Sequence, residues 1–115
     1  MTLGSLLSKL TGGGGSGAPT IAHDDFCRVV ADKSSAIVDV REPHEYGAGH
    51  VPGAKNMPLS SFDPANLPEG EVVLICQAGG RSAKALAKAQ EAGRTNVRHY
   101  APGTGGWRAS GGAVE

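Results

Sequence analysis

Apolar residues fall in short blocks along the chain, and polar, helix-like stretches separate these blocks. Two runs rich in β-branched residues, at positions 36–40 and 71–75, have the length and composition of buried strands. Weaker strand candidates lie at 19–21, 56–59 and 97–100. Because helical patterns intervene, the order predicts an α/β fold. We expect a small, mostly parallel sheet of about five strands with helices on both faces.

Local signals refine the helices. In the helix predicted to end near Asp32, Asp24 or Asp25 is expected close to the N-cap. Pro43 at a first helical position predicts a short helix that ends near Gly47. A third helix is predicted from residue 80 to residue 92, with Gly93 as its C-terminal cap. Its residues at helical spacing are Ala83, Leu86, Ala87 and Gln90.

Residues 1–17 differ in composition from the rest of the chain. A leucine stripe occupies one helical face, and a glycine-rich linker follows at 11–17. The stripe consists of Leu3, Leu6, Leu7 and Leu10. We therefore predict a flexible tail at 1–17 and a folded domain at 18–115. The tail is either a frayed appendage or a short helix for docking or self-association.

Composition excludes several classes of function. The 115 residues carry 11 basic and 11 acidic side chains, and aromatic residues make up 4%. Such a chain has no electrostatic footprint for nucleic acid or anionic membranes and no base-stacking platform. It lacks an apolar run of about 20 residues, so no membrane span is predicted. The N-terminus lacks the features of a secretory signal, and two cysteines make no disulfide framework, so we expect a cytoplasmic protein.

The strongest candidate for chemistry is Cys76, at the end of the second apolar run. Small residues follow it, then Arg81, Ser82 and an alanine-rich helix. Backbone N–H groups and a helix N-terminus at such a place lower the pKa of a thiol and hold an anion. We therefore predict a nucleophilic thiolate at neutral pH, with Arg81 as an anion-binding group and the Ser82 hydroxyl as a donor to sulfur.

The size of this loop bears on the reaction. Phosphatase-type loops place five residues between cysteine and arginine, which leaves room for a tetrahedral phosphate. Four residues intervene here, namely Gln77, Ala78, Gly79 and Gly80. The tighter ring favours one extra sulfur atom on Cys76, a persulfide, although a phosphatase or arsenate reductase stays an alternative. Cys27 is expected to be structural, with a resolving thiol as its alternative role.

The loop, with two other segments, resembles the rhodanese (thiosulfate sulfurtransferase) family in its single-domain form. Residues 76–82 match the family loop C-x-x-G-x-R-S. Residues 39–54 match its upstream signature D-V-R-x-x-x-E-[FY]-x-x-G-H-[IV]-P-G-A. Residues 93–115 resemble its C-terminal segment, with Pro102-Gly103 where many members have two glycines. The likeness covers about residues 18–115 in family order.

The resemblance implies a sulfurtransferase that moves sulfane sulfur from thiosulfate to a thiol or cyanide through a Cys76 persulfide. It implies that Arg81 orients the donor's sulfonate and that Ser82 supports the sulfur. Arg41 and His50 are expected to brace the site. The predicted substrate-binding set is Gln77, Ala78, Gly79, Gly80, Arg81, Ser82 and Arg41. The alternative is a persulfide carrier or sensor that serves a protein partner; neither reading requires a metal or cofactor.

Overall fold

A computed structural model describes residues 19–115, so the expectations for residues 1–17 lie outside the described part of the chain. In chain order the elements are α1 (His23–Asp32), β1 (Ala36–Asp39), α2 (Pro43–Gly47), β2 (Lys55–Asn56), two 3₁₀ turns (Leu59–Ser61 and Pro64–Asn66), β3 (Val72–Ile75), α3 (Gly80–Glu91), β4 (Val97–His99) and α4 (Gly103–Ala109). None of these helices is long and apolar enough to cross a membrane.

The four strands form one parallel sheet in the order β2–β1–β3–β4. The predicted α/β fold is therefore confirmed. The sheet has four strands where about five were predicted. The candidate strand at 19–21 contributes only a single bridge, in which Thr20 pairs with His99 beside β4. Pro19 lacks an N–H and cannot donate to a ladder, which is consistent with so short a pairing.

Side chains alternate between the two faces of the sheet and build two cores. On one face, Ile37, Val73 and Ile75 pack in a cluster with Phe26 of α1 and Trp107 of α4. On the other face, a second cluster joins the strands to α3; its members include Val38, Val72, Leu74, Ala85 and Leu86. Burial on both faces explains why the strands read as continuous apolar runs. The predicted two-sided covering of the sheet is thus confirmed.

The start of α2 follows from local sequence. Glu42 and Glu45 form a capping box, in which each side chain accepts a hydrogen bond from the backbone N–H of the other residue, and Pro43 occupies the first turn. The start of α1 agrees with expectation, since both aspartates lie close to the N-cap. Its N-cap is Ala22, and Asp24 and Asp25 lie in the first helical turn, where the helix dipole favours carboxylates.

The face of α3 differs from the sequence pattern. The helix buries Ser82, Ala85, Leu86 and Ala89, whereas Ala87 and Gln90 are exposed. Alanine occurs on every side of this helix, so the apolar pattern does not define its rotation. The observed rotation of α3 directs Ser82 into the protein, next to the end of β3.

Candidate active site

Cys76 directly follows β3, at the edge of the sheet where the parallel strands end. Its side chain is almost fully buried, with 1% relative exposure. The Sγ atom accepts hydrogen bonds from the backbone N–H of Gly79 at 3.1 Å and of Ser82 at 3.3 Å. The Ser82 hydroxyl lies 3.5 Å from the same sulfur. The sulfur therefore sits inside a ring of donors just before the first turn of α3.

The loop closes this tightly because of Gly79. This residue is the N-cap of α3 and has φ +99°, a left-handed conformation that glycine adopts without strain. A Cβ atom there would lie 2.5 Å from the carbonyl oxygen of Ala101. Gly80, in contrast, has open space around its missing side chain. Only one of the two adjacent glycines is thus required by the backbone.

Burial raises the pKa of the Cys76 thiol, but hydrogen bonds to the sulfur outweigh this effect. The donors are the Ser82 side chain and the backbone N–H groups of Ser82, Ala78 and Gly79, and together they bring the pKa below its ordinary value. Desolvation alone would favour the neutral thiol. The donor ring therefore reverses the usual behaviour of a buried cysteine and favours the thiolate.

Behind Ser82 lies His99, for which the sequence suggested no role in the site. Its Nδ1 atom is 2.9 Å from Ser82 Oγ, and its side chain is buried. Burial lowers the pKa of His99, which favours the neutral imidazole. No spacing motif links residues 82 and 99, and they come together only because α3 packs against β4.

Arg81 is held at the edge of the loop by Glu45 of α2. Its Nη1 and Nη2 atoms donate to the two carboxylate oxygens of Glu45 at 2.6 Å and 3.0 Å. The hydrogen bond from Arg81 is the main reason why the pKa of Glu45 is lowered to about 2. Glu45 is a second residue for which the sequence predicted no function, although it stands at the glutamate position of the upstream signature. The guanidinium therefore already has an anionic partner.

Arg41 is buried and turned toward the end of β1. Its Nε and Nη2 atoms donate to the Asp39 carboxylate, and Nη2 also donates to the carbonyl oxygen of Gly49 at 2.9 Å. His50 stacks on Tyr46 with ring centroids 3.8 Å apart. These contacts fix the loop between α2 and β2, as a bracing role requires. The substrate-binding role assigned to Arg41 stays a prediction.

The glycine-rich start of α4 lies directly against the Cys76 loop. The N–H of Thr104 donates to the Cys76 carbonyl at 2.8 Å, and the N–H of Gly105 donates to the Gln77 carbonyl at 3.0 Å. A Cβ atom on Gly103 would lie 2.6 Å from the Cys76 carbonyl oxygen. Small residues are needed here because the two backbones are in contact. The side chains of Gln77 and Ala78 and the backbone of Gly80 face outward.

The other thiol has a different setting. Cys27 is partly exposed on α1, and its sulfur lies 3.5 Å from His23 Nε2. Both cysteines are free. Within residues 19–115 no group of three or more His, Cys, Asp or Glu side chains is arranged to hold a metal ion.

Taken together, the geometry defines a class of site: a buried thiol at the end of a parallel strand, in a backbone cradle that stabilises negative charge on sulfur. The model of the rhodanese-like domain family matches residues 23–110. The chain belongs to the rhodanese-like domain family.

Individual relatives are consistent with this assignment. The chain is 30% identical over 102 residues to the human thiosulfate:glutathione sulfurtransferase, covering 74% of this chain and 89% of that protein. It is 36% identical over 96 residues to the putative sulfur carrier protein YrkF of Bacillus subtilis, covering 80% of this chain and 52% of the relative. The chain thus spans about half the length of some curated relatives that it matches.

Solved structures agree on the fold. The human single-domain sulfurtransferase TSTD1 superposes with a TM-score of 0.69 at 30% identity, and the match covers 81% of this chain and 97% of that structure. Proteins named as sulfurtransferases and as a putative sulfur carrier are therefore among the relatives of this domain.

Proposed function

We propose that this protein transfers sulfane sulfur from thiosulfate, or a similar donor, to a thiol or cyanide through a persulfide on Cys76. The observation that carries the proposal is the pair of backbone N–H groups, from Gly79 and Ser82, that point at Cys76 Sγ. Such a cradle stabilises a thiolate before the reaction and a terminal sulfur anion after it.

The reaction balances in two displacements. The Cys76 thiolate attacks the outer sulfur of thiosulfate, the sulfur–sulfur bond of the donor breaks, and sulfite leaves with the electron pair. Cys76 then carries the outer sulfur as a persulfide anion. An acceptor thiolate or cyanide attacks that sulfur, the bond to Cys76 breaks, and the Cys76 thiolate is regenerated.

Other predicted site residues have supporting roles in this scheme. The Ser82 hydroxyl, 3.5 Å from Sγ, donates to the sulfur in its thiolate form. The exposure of Gln77, Ala78 and Gly80 leaves the loop open to the donor.

The hydrogen bond from Arg81 to Glu45 is the main reason why the pKa of Arg81 is raised, and the negative charge on Cys76 adds to this effect. Glu45 fixes the orientation of the guanidinium. We propose that Arg81 attracts the sulfonate while its pairing with Glu45 limits the net positive charge.

A second candidate is a persulfide carrier that delivers sulfur to another protein. The likeness to the putative sulfur carrier YrkF favours it, as does the exposure of Gln77 and Ala78 at the loop surface. In this version the acceptor thiolate belongs to a partner protein, and residues 1–17 would aid docking. Either reaction requires a free thiol, so we propose the reducing cytoplasm as its location.

Sulfur-transfer turnover tests the proposal. Sulfite release from thiosulfate is measured with cyanide and with glutathione as acceptors, for the parent protein and for Cys76→Ser and Cys27→Ser. We expect turnover in the parent and in Cys27→Ser, and none in Cys76→Ser. Turnover that survives Cys76→Ser would contradict the proposal.

Two further assays separate the alternatives. Rapid persulfide formation with slow release to both small acceptors would favour the carrier, and deletion of residues 1–17 should then slow delivery to a partner protein only. Hydrolysis of an aryl phosphate that Cys76→Ser abolishes would favour the phosphatase alternative instead.

A further inference from the structure

The Ser82 hydroxyl lies between three polar atoms. Cys76 Sγ is 3.5 Å away, the carbonyl oxygen of Gly79 is 3.2 Å away, and His99 Nδ1 is 2.9 Å away. The residue is fully buried, so these neighbours rather than water decide where its proton points. A serine hydroxyl has one proton to donate and lone pairs to accept with.

The tautomer of His99 determines which of these contacts the hydroxyl can donate to. If Nδ1 lacks a proton, it accepts the Ser82 proton, and Oγ offers only lone pairs to the sulfur. If Nδ1 carries the proton, it donates to Ser82 Oγ, and the hydroxyl proton is free for the other two acceptors. The first arrangement favours a thiol that donates to Oγ, and the second favours a thiolate that accepts from it.

We propose that His99 is a positioning residue of the active site: its Nδ1–H donates to Ser82 Oγ and so directs the Ser82 hydroxyl proton onto Cys76 Sγ. The inference deepens the proposed function, on which it rests for the use of a Cys76 thiolate. It adds a residue on β4 to a cradle whose donors to the sulfur come from α3 and from the loop between β3 and α3.

Three observations support this arrangement. Val97 and His99 are buried on alternate positions of β4, and Val97 belongs to the cluster that packs on α3, so the strand directs His99 toward Ser82. The competing acceptor of the hydroxyl proton is the Gly79 carbonyl at 3.2 Å, and the N–H of Ala83 also donates to this carbonyl, so it keeps one hydrogen bond when the hydroxyl turns to the sulfur. A charged sulfur is the stronger acceptor, because hydrogen bonds to ions are about twice as strong as neutral ones.

The protonation state of His99 is consistent with this arrangement. Burial lowers its pKa, so the imidazole is neutral near pH 7 and carries a single N–H. Placing that proton on Nδ1 gives it an acceptor in Ser82 Oγ and leaves the hydroxyl proton for the thiolate. The residue touches neither sulfur nor substrate, so it acts only through Ser82.

Alkylation of the thiol as a function of pH tests the proposal without any sulfur transfer. All variants are made in a Cys27→Ser background, so that Cys76 alone reacts with monobromobimane. His99→Phe keeps a ring but removes the donor, and we expect alkylation below the thiol pKa to slow about three- to tenfold. His99→Asn is the matched rescue, because the asparagine amide nitrogen can replace Nδ1, and its profile should resemble the parent.

A double-mutant cycle tests the route of the effect. In a Ser82→Ala background, His99→Phe should cause no further slowing, since the hydroxyl through which it acts is gone. An equal slowing with and without Ser82 would overturn the proposal, as would an unchanged profile in His99→Phe.

The tautomer itself is measurable in the parent protein, independently of whether any variant folds. Long-range ¹H–¹⁵N correlation of the His99 ring should show the proton on Nδ1 at a pH where Cys76 is a thiolate. A proton on Nε2 alone would overturn the proposal. Because neither experiment uses a sulfur donor, a failure here is distinct from a failure of sulfur transfer.

Discussion

Arg81 and Glu45 lie 36 positions apart in sequence and join the Cys76 loop to helix α2 through two parallel hydrogen bonds. The helix that presents Glu45 begins with a capping box in which the same carboxylate accepts from the Glu42 backbone. The orientation of the loop arginine therefore depends on how α2 begins. A donor that binds Arg81 must share it with this carboxylate.

The lowered pKa of Glu45 predicts that this carboxyl makes a pH-dependent contribution to the free energy of unfolding. Its pKa in the folded protein is about 2, below the ordinary value of 4.5, so its stabilisation is present above pH 4.5 and lost as the pH falls toward 2. Both partners are partly exposed, so the gain is at most about 1 kcal/mol. Glu45→Gln should lower the free energy of unfolding at pH 7 and reduce its dependence on pH in that window, as measured by urea denaturation.

Glu71→Gln serves as the control for this prediction. Glu71 is exposed and approaches Arg98 only to 3.9 Å, so its replacement should leave the unfolding free energy nearly unchanged. Equal effects of the two substitutions would show that the Arg81–Glu45 pair adds nothing specific.

Gly79 and Gly80 allow a matched test of the loop. Gly79→Ala places a Cβ against the Ala101 carbonyl at a left-handed position, whereas Gly80→Ala enters open space. We expect Gly79→Ala to cost about 2 kcal/mol and to slow Cys76 alkylation at neutral pH, because it displaces an N–H from the sulfur. Gly80→Ala should change both properties little, and similar behaviour of the two variants would contradict this account.

The buried pair of Asp39 and Arg41 predicts a much larger stability effect than surface pairs. Asp39→Asn leaves the buried Arg41 guanidinium without a charged partner and should cost about 3–5 kcal/mol. Asp25→Asn removes the exposed partner of Arg28 and should cost well under 1 kcal/mol. The midpoints of chemical denaturation of the two variants test this prediction. Comparable losses of stability in both variants would contradict the bracing role of Arg41.

Elements with strong local signals could be predicted from sequence. The Pro43 helix ends at Gly47 as expected, and β3 lies within the apolar run that delivers Cys76. Hydrophobic runs and proline positions report on the local backbone, so the fold class follows from their order. The candidate strand at 19–21 failed to form beyond one bridge because pairing, unlike apolar character, depends on the neighbouring strand.

Contacts between elements that are distant in sequence could not be predicted. The rotation of α3 could not be read from its alanines. Ser82 was predicted to donate to the sulfur, but no pattern in the sequence indicated its contact with His99. The partnership of Arg81 and Glu45 likewise depends on how α2 lies against the loop. These contacts decide the charge state and orientation of the site, whereas the cysteine itself could be found from its position after a strand.

The mass of the intact protein after exposure to thiosulfate tests the central claim most directly. Reduced protein should gain about 32 Da, one sulfur atom, and lose it again on addition of cyanide. The gain should persist in Cys27→Ser and be absent in Cys76→Ser. No adduct with thiosulfate or any other sulfane-sulfur donor, or an adduct that survives in Cys76→Ser, would contradict a persulfide on Cys76.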